Sequence, residues 1–70
     1  MGEKRTMTLT LSEEEMSSLD QLALRNDMSK TAVIRKAIQI HFILEKRLQS
    51  GEHIFVEDVL HQVKVELLLV

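Results

Sequence analysis

Thr6, Thr8 and Thr10 recur at every second position in the run K-R-T-M-T-L-T-L-S, which extends from Lys4 to Ser12. Side chains alternate across a strand, so these hydroxyls share one face with Lys4, while Met7, Leu9 and Leu11 share the other. A threonine hydroxyl donates and accepts hydrogen bonds, and the methyl beside it makes apolar contacts. Threonine is also a strong strand former, so the alternation alone describes an ordinary exposed sheet face. His41, His53 and His61 are the other side chains with chemistry to offer. Their spacing suits no metal site: none stands four residues from another, and the chain has no cysteine to complete a ligand set. His41 is expected at a helix interface. Catalysis is not expected either. No glycine-rich phosphate loop and no nucleophile with its base is present, so the reading is a non-enzyme without a cofactor.

The elements that would position the threonines can be read in order. The strand over Lys4–Ser12 has no second strand nearby in sequence, and a lone strand leaves its backbone donors and acceptors unpaired. Its partner must come from another chain. Ser12-Glu13-Glu14-Glu15 is a capping box, and Met16, Leu19, Leu22 and Ala23 follow at helical spacing. Asn26-Asp27 ends this helix, since both residues tolerate the left-handed conformation. Ser29 caps a second helix from Lys30 to about Gln49. That helix carries two apolar stripes, Ile34-Ile38-Phe42 and Val33-Ala37-Ile40-Leu44-Leu48. The first helix can cover one; the other needs a partner subunit. Ser50-Gly51 then breaks the pattern. Ile54-Phe55-Val56 and Val63–Leu69 read as a β-hairpin turning around Asp58–Gln62, with a helix through Val56, Val59, Leu60, Val63 and Leu67 as the alternative.

Composition agrees with an associating protein. At 70 residues the chain is near the size where one core is marginal, and its only aromatics are Phe42 and Phe55. The net charge of −2 is unevenly spread. Residues 1–50 hold eight Lys/Arg against seven Asp/Glu, and residues 51–70 hold Lys64 against four acids. Much of the first segment's acid lies in Glu13–Glu15, where a helix start favours it. The first residues carry no apolar signal segment, and the longest apolar run, Leu67–Val70, is far too short to span a bilayer. A soluble cytoplasmic protein with no membrane partner is expected.

An alternating basic strand, a Ser-capped helix, a short turn and a second helix opening S-K-T-A-V-I-R-K-A-I resemble the ribbon–helix–helix family of prokaryotic DNA-binding proteins. The resemblance covers residues 4–47. It implies a mainly α, β-α-α intertwined homodimer over residues 1–50, with residues 51–70 as a C-terminal extension. Strands of two subunits would pair antiparallel into a ribbon that enters the major groove of double-stranded DNA. It would place Thr6, Thr8 and Thr10 against base edges. Lys4, Arg5, Ser29, Lys30 and Thr31 would contact phosphates, the last three because a helix start offers free N–H groups and a positive dipole end. Many family members carry a longer polar side chain among the ribbon positions. Here all three are threonine, so affinity is expected to lean on cooperativity between dimers.

The resemblance implies a sequence-specific transcriptional regulator, most simply a repressor. One alternative is the antitoxin of a toxin–antitoxin pair, with residues 51–70 binding the toxin. Another is a protein-interaction module that uses the same fold for dimerisation without touching DNA.

Overall fold

A computed structural model describes residues 2–68, so Leu69, the last member of the expected Val63–Leu69 alternation, lies outside the described residues. The chain divides into two compact units, Met1–Ile34 and Arg35–Val70. Helix α1 (Glu13–Arg25) lies in the first, helix α2 (Lys30–Gln49) begins there and continues into the second, and strands β1 (Phe55–Asp58) and β2 (Val63–Glu66) complete the second.

In the first unit, α1 starts at the expected capping box. The Ser12 N–H donates to Glu15 Oε1 at 2.9 Å, and the Glu15 N–H donates back to Ser12 Oγ at 3.1 Å. The helix ends at Asn26, with Asp27 in the left-handed region at φ 52°. The Asp27 N–H then reaches Leu24 O at 3.3 Å and the Met28 N–H reaches Ala23 O at 2.9 Å, the paired bonds of a Schellman closure. The Asn26 side chain adds a third bond, donating to Leu22 O at 2.8 Å. Ser29 caps α2: its Oγ accepts from the Ala32 N–H at 3.0 Å and its carbonyl from the Val33 N–H at 3.0 Å. Leu19 of α1 and Val33 of α2 are the buried hydrophobic residues among those described.

The sequence pattern places a strand over Lys4–Ser12 at the head of a β-α-α order, and here the structure differs. Residues 2–11 form no strand, and the order is α1-α2-β1-β2. A strand exists by its ladder of hydrogen bonds, and the described residues of one chain supply no neighbour for this segment. Met7 and Leu9, the apolar face of that segment, are accordingly 77% and 52% exposed.

In the second unit, α2 closes with the same device as α1, now on glycine. Gly51 sits at φ 85°, its N–H donates to Leu48 O at 3.1 Å, and the Glu52 N–H donates to Arg47 O at 3.1 Å. Arg47 Nη1 also meets Glu52 Oε2 at 3.1 Å. Neither apolar stripe on α2 is covered along its length: Ile34, Leu44 and Leu48 are partly covered, whereas Ala37, Ile38, Ile40 and Phe42 stand open.

The tail is a hairpin, as the alternation suggested. β1 and β2 pair antiparallel with Phe55 opposite Glu66, Val56 opposite Val65, Glu57 opposite Lys64 and Asp58 opposite Val63. The Leu67 N–H extends the ladder to Ile54 O at 2.7 Å. The turn lacks Asn-Gly and uses Asp58 instead. The Asp58 carboxylate accepts from the His61 N–H at 3.2 Å and meets His61 Nδ1 at 2.7 Å, while Gln62 takes the left-handed conformation at φ 54°. These bonds from His61, its ring first, hold the Asp58 carboxyl below its ordinary range.

Candidate nucleic-acid interface

Thr6, Thr8 and Thr10 lie in the segment before α1 and are all exposed, as are Lys4 and Arg5. Spacing along an extended chain sets alternate side chains about 6.6 Å apart, taking roughly 3.3 Å of rise per residue. The segment runs directly into the Ser12 cap, so the helix start fixes where it leaves the helical core.

The two helix starts differ in charge. The first turn of α1 holds Glu13, Glu14 and Glu15, which face the positive dipole end and would repel a phosphate. Hydrogen bonds from Ser12, the backbone N–H first and the hydroxyl second, hold the Glu15 carboxyl below its ordinary range. The first turn of α2 carries no acidic residue. Its Ser29 hydroxyl is already engaged by the Ala32 N–H, so this group caps the helix and leaves the neighbouring N–H groups of Lys30 and Thr31 as donors. Thr31 and Lys30 are exposed.

Lys30 has a neighbour that spacing did not reveal. Its Nζ lies 3.0 Å from Asp20 Oδ1 on α1, with both side chains more than half exposed. The residues are ten apart and meet only because the Asn26–Met28 closure turns the chain back. No periodicity within either helix signals such a pair. It is exposed and worth little, of order 0.2–1 kcal/mol, so it tethers Lys30 without committing it.

The histidines are distributed, not gathered. His41 Nε2 lies 3.8 Å from Glu45 one turn along α2, His53 Nδ1 lies 3.1 Å from Glu66 across the hairpin, and His61 meets Asp58 in the turn. His41 is exposed within the chain, beside the open Ile38 and Phe42. No cluster of three or more potential metal ligands occurs among the described residues. No helix among them is long and apolar enough to cross a membrane.

A family model described as "Ribbon-helix-helix protein, copG family" matches residues 5–41, just over half of the chain. The match takes in Arg5, the three threonines, α1, the Ser29–Thr31 helix start and the first part of α2; Lys4 lies just before it and the hairpin beyond it. No curated protein and no solved structure matches the chain.

Proposed function

The chain belongs to the ribbon–helix–helix family of copG type, and from that premise we propose that it is a homodimeric, sequence-specific DNA-binding protein acting as a transcriptional repressor in a prokaryotic cytoplasm. Members of this family are generally DNA-binding transcription regulators or antitoxins, bind DNA as dimers and are typically not enzymes. The finer assignment rests on one observation: Thr6, Thr8 and Thr10 and the alternating Met7 and Leu9 are all exposed, and among the described residues no strand pairs with their segment. A second copy pairing antiparallel with it would satisfy both backbones and cover Met7 and Leu9. The threonines of both copies would then face outward with two-fold symmetry, suited to a palindromic site.

In this reading Thr6, Thr8 and Thr10 contact base edges. Each hydroxyl serves as donor or acceptor and each methyl packs on a thymine methyl. Lys4 and Arg5 lead the ribbon in along the phosphates, and Ser29, Lys30 and Thr31 clamp a phosphate at the acid-free start of α2. The hairpin has its own ladder in the single chain, which favours extended self-association over an unstructured tail that folds on a toxin.

Selection of bound duplexes from random sequence by the full chain tests the assignment. A preferred site with two-fold symmetry and salt-sensitive affinity is expected. Thr8→Ala should lose about 1–3 kcal/mol of preference for that site while retaining binding to other duplexes. Binding that is indifferent to salt and to Thr8→Ala would remove the DNA reading in favour of a protein-interaction module.

A further inference from the structure

We propose that the outer edge of β2 is a second self-association surface, pairing antiparallel with β2 of another copy about a two-fold axis at Val65. The inference stands on the hairpin alone and goes beyond the DNA reading, which concerns residues before Ser50.

The hairpin register decides which backbone groups are free. The Leu67 N–H bonds Ile54 O, so Ile54 and Leu67 form a hydrogen-bonded pair, and by alternation so do Val56–Val65 and Asp58–Val63. The intervening residues of β2, Lys64 and Glu66, therefore direct their N–H and C=O groups away from β1. An antiparallel copy of β2 centred on Val65 sets Lys64 opposite Glu66 of the other copy, and Glu66 opposite its Lys64. The residues with free backbone groups are thus the ones brought into hydrogen-bonded register, and their side chains carry opposite charges. Such cross-strand pairs are favourable, and like charges directly opposite are not.

The side chains continue the pattern across the joint. Residues opposite one another share a face, so Val56 and Val65 lie on one face of the hairpin with Val63, and these three are 58%, 58% and 48% exposed. Joining two copies sets four valines in a row, Val56–Val65 and then Val65–Val56 of the other copy. The opposite face carries Glu57 beside Lys64, and the pairing adds Glu66 of the second copy on the other flank of that lysine. Lys64 also lies over the Phe55 ring, 5.3 Å from its centre, and Glu66 meets His53 at 3.1 Å, so both charged side chains are held on this face. A lone lysine on an edge strand ordinarily discourages pairing. Here Glu66 two positions on converts it into a complement. The β1 edge has no such match, because Glu57 and Asp58 give it acid alone.

The sequence lacks cysteine, so a single introduced thiol reports the joint directly. Val65 would face its own copy as a non-hydrogen-bonded pair, with Cα atoms about 4.5 Å apart, within the reach of a disulfide. In the full chain under oxidised glutathione, Val65→Cys should cross-link about ten-fold faster than Val59→Cys, whose exposed position is in the turn. In the Val65→Cys background, Glu57→Lys with Lys64→Glu keeps opposite charges within the hairpin but sets like charges across the axis. It should slow cross-linking about ten-fold. Adding Glu66→Lys restores the match across the axis and should restore the rate. Equal rates for the thiols at 65 and 59, or no rescue by the third exchange, would overturn the proposal. Duplex binding measured on the same chains reports the N-terminal reading separately: its loss with cross-linking intact removes the DNA assignment alone, and the reverse removes the hairpin joint alone.

Discussion

Lys30 is paired with Asp20, 3.0 Å away on α1, and the proposed DNA complex would ask the same charge to meet a phosphate at the start of α2. The competition can be measured. Lys30→Ala should weaken binding to all duplexes alike and lower the salt slope by about one unit. Asp20→Asn releases the lysine and should tighten all duplexes by up to about five-fold, the worth of an exposed pair. Binding isotherms over a salt series check both. The sequence made Lys30 a candidate through its place after Ser29, but Asp20 could not be foreseen. Contacts within one helix follow its period; a contact between helices depends on the turn that joins them. His61–Asp58 is the opposite case. Three residues apart in a turn, an aspartate and a histidine can meet without any tertiary folding, so that pair was open to a closer local reading.

At the level of elements, the starts and stops of both helices were legible because local chemistry sets them. Ser12 with Glu15 makes a cap from side chains three residues apart, and Asp27 and Gly51 each take the left-handed residue of a closure. The cap can be titrated. The Glu15 carboxyl is held below its ordinary 4.5 in the folded chain, so its contribution is complete above that value and is lost as pH falls through the lowered one. Helicity followed by circular dichroism should decline over that acid range. Ser12→Ala, costing about 1 kcal/mol as a lost cap, should lower helicity at neutral pH and flatten the acid decline. The hairpin was legible from β-branched alternation even without its usual turn residues. The threonine strand was legible only as a pattern. Its formation depends on a ladder that no local sequence can supply.

For the whole molecule, the decisive observation is how little one chain buries: Leu19 and Val33 among the described residues, with Ile38, Phe42, Met7 and Leu9 open to solvent. Two side chains are too small a core for 70 residues, so stability should come from association and depend on concentration. The thermal midpoint is expected to rise by about 5 °C for each ten-fold increase in chain concentration. A calorimetric dilution series checks this, and a midpoint independent of concentration would point to a stable monomer. The two stripes on α2 marked an apolar surplus, but residues of both, Ile40 as well as Ile38 and Phe42, stand open, where one was expected to be covered by α1. Which surface a partner covers first could not be read, because hydrophobic pattern marks a face without marking its mate.

The junction between α2 and the hairpin has almost no slack. The Glu52 N–H is tied back to Arg47, and the Ile54 carbonyl is tied forward to Leu67. Between those two bonded ends stands His53, whose ring is itself held against Glu66. A flexible tether would let the hairpin bind anything without the helix registering it. This joint instead is pinned on both sides, so the hairpin leaves the last turn of α2 through bonded residues and not through a free tether.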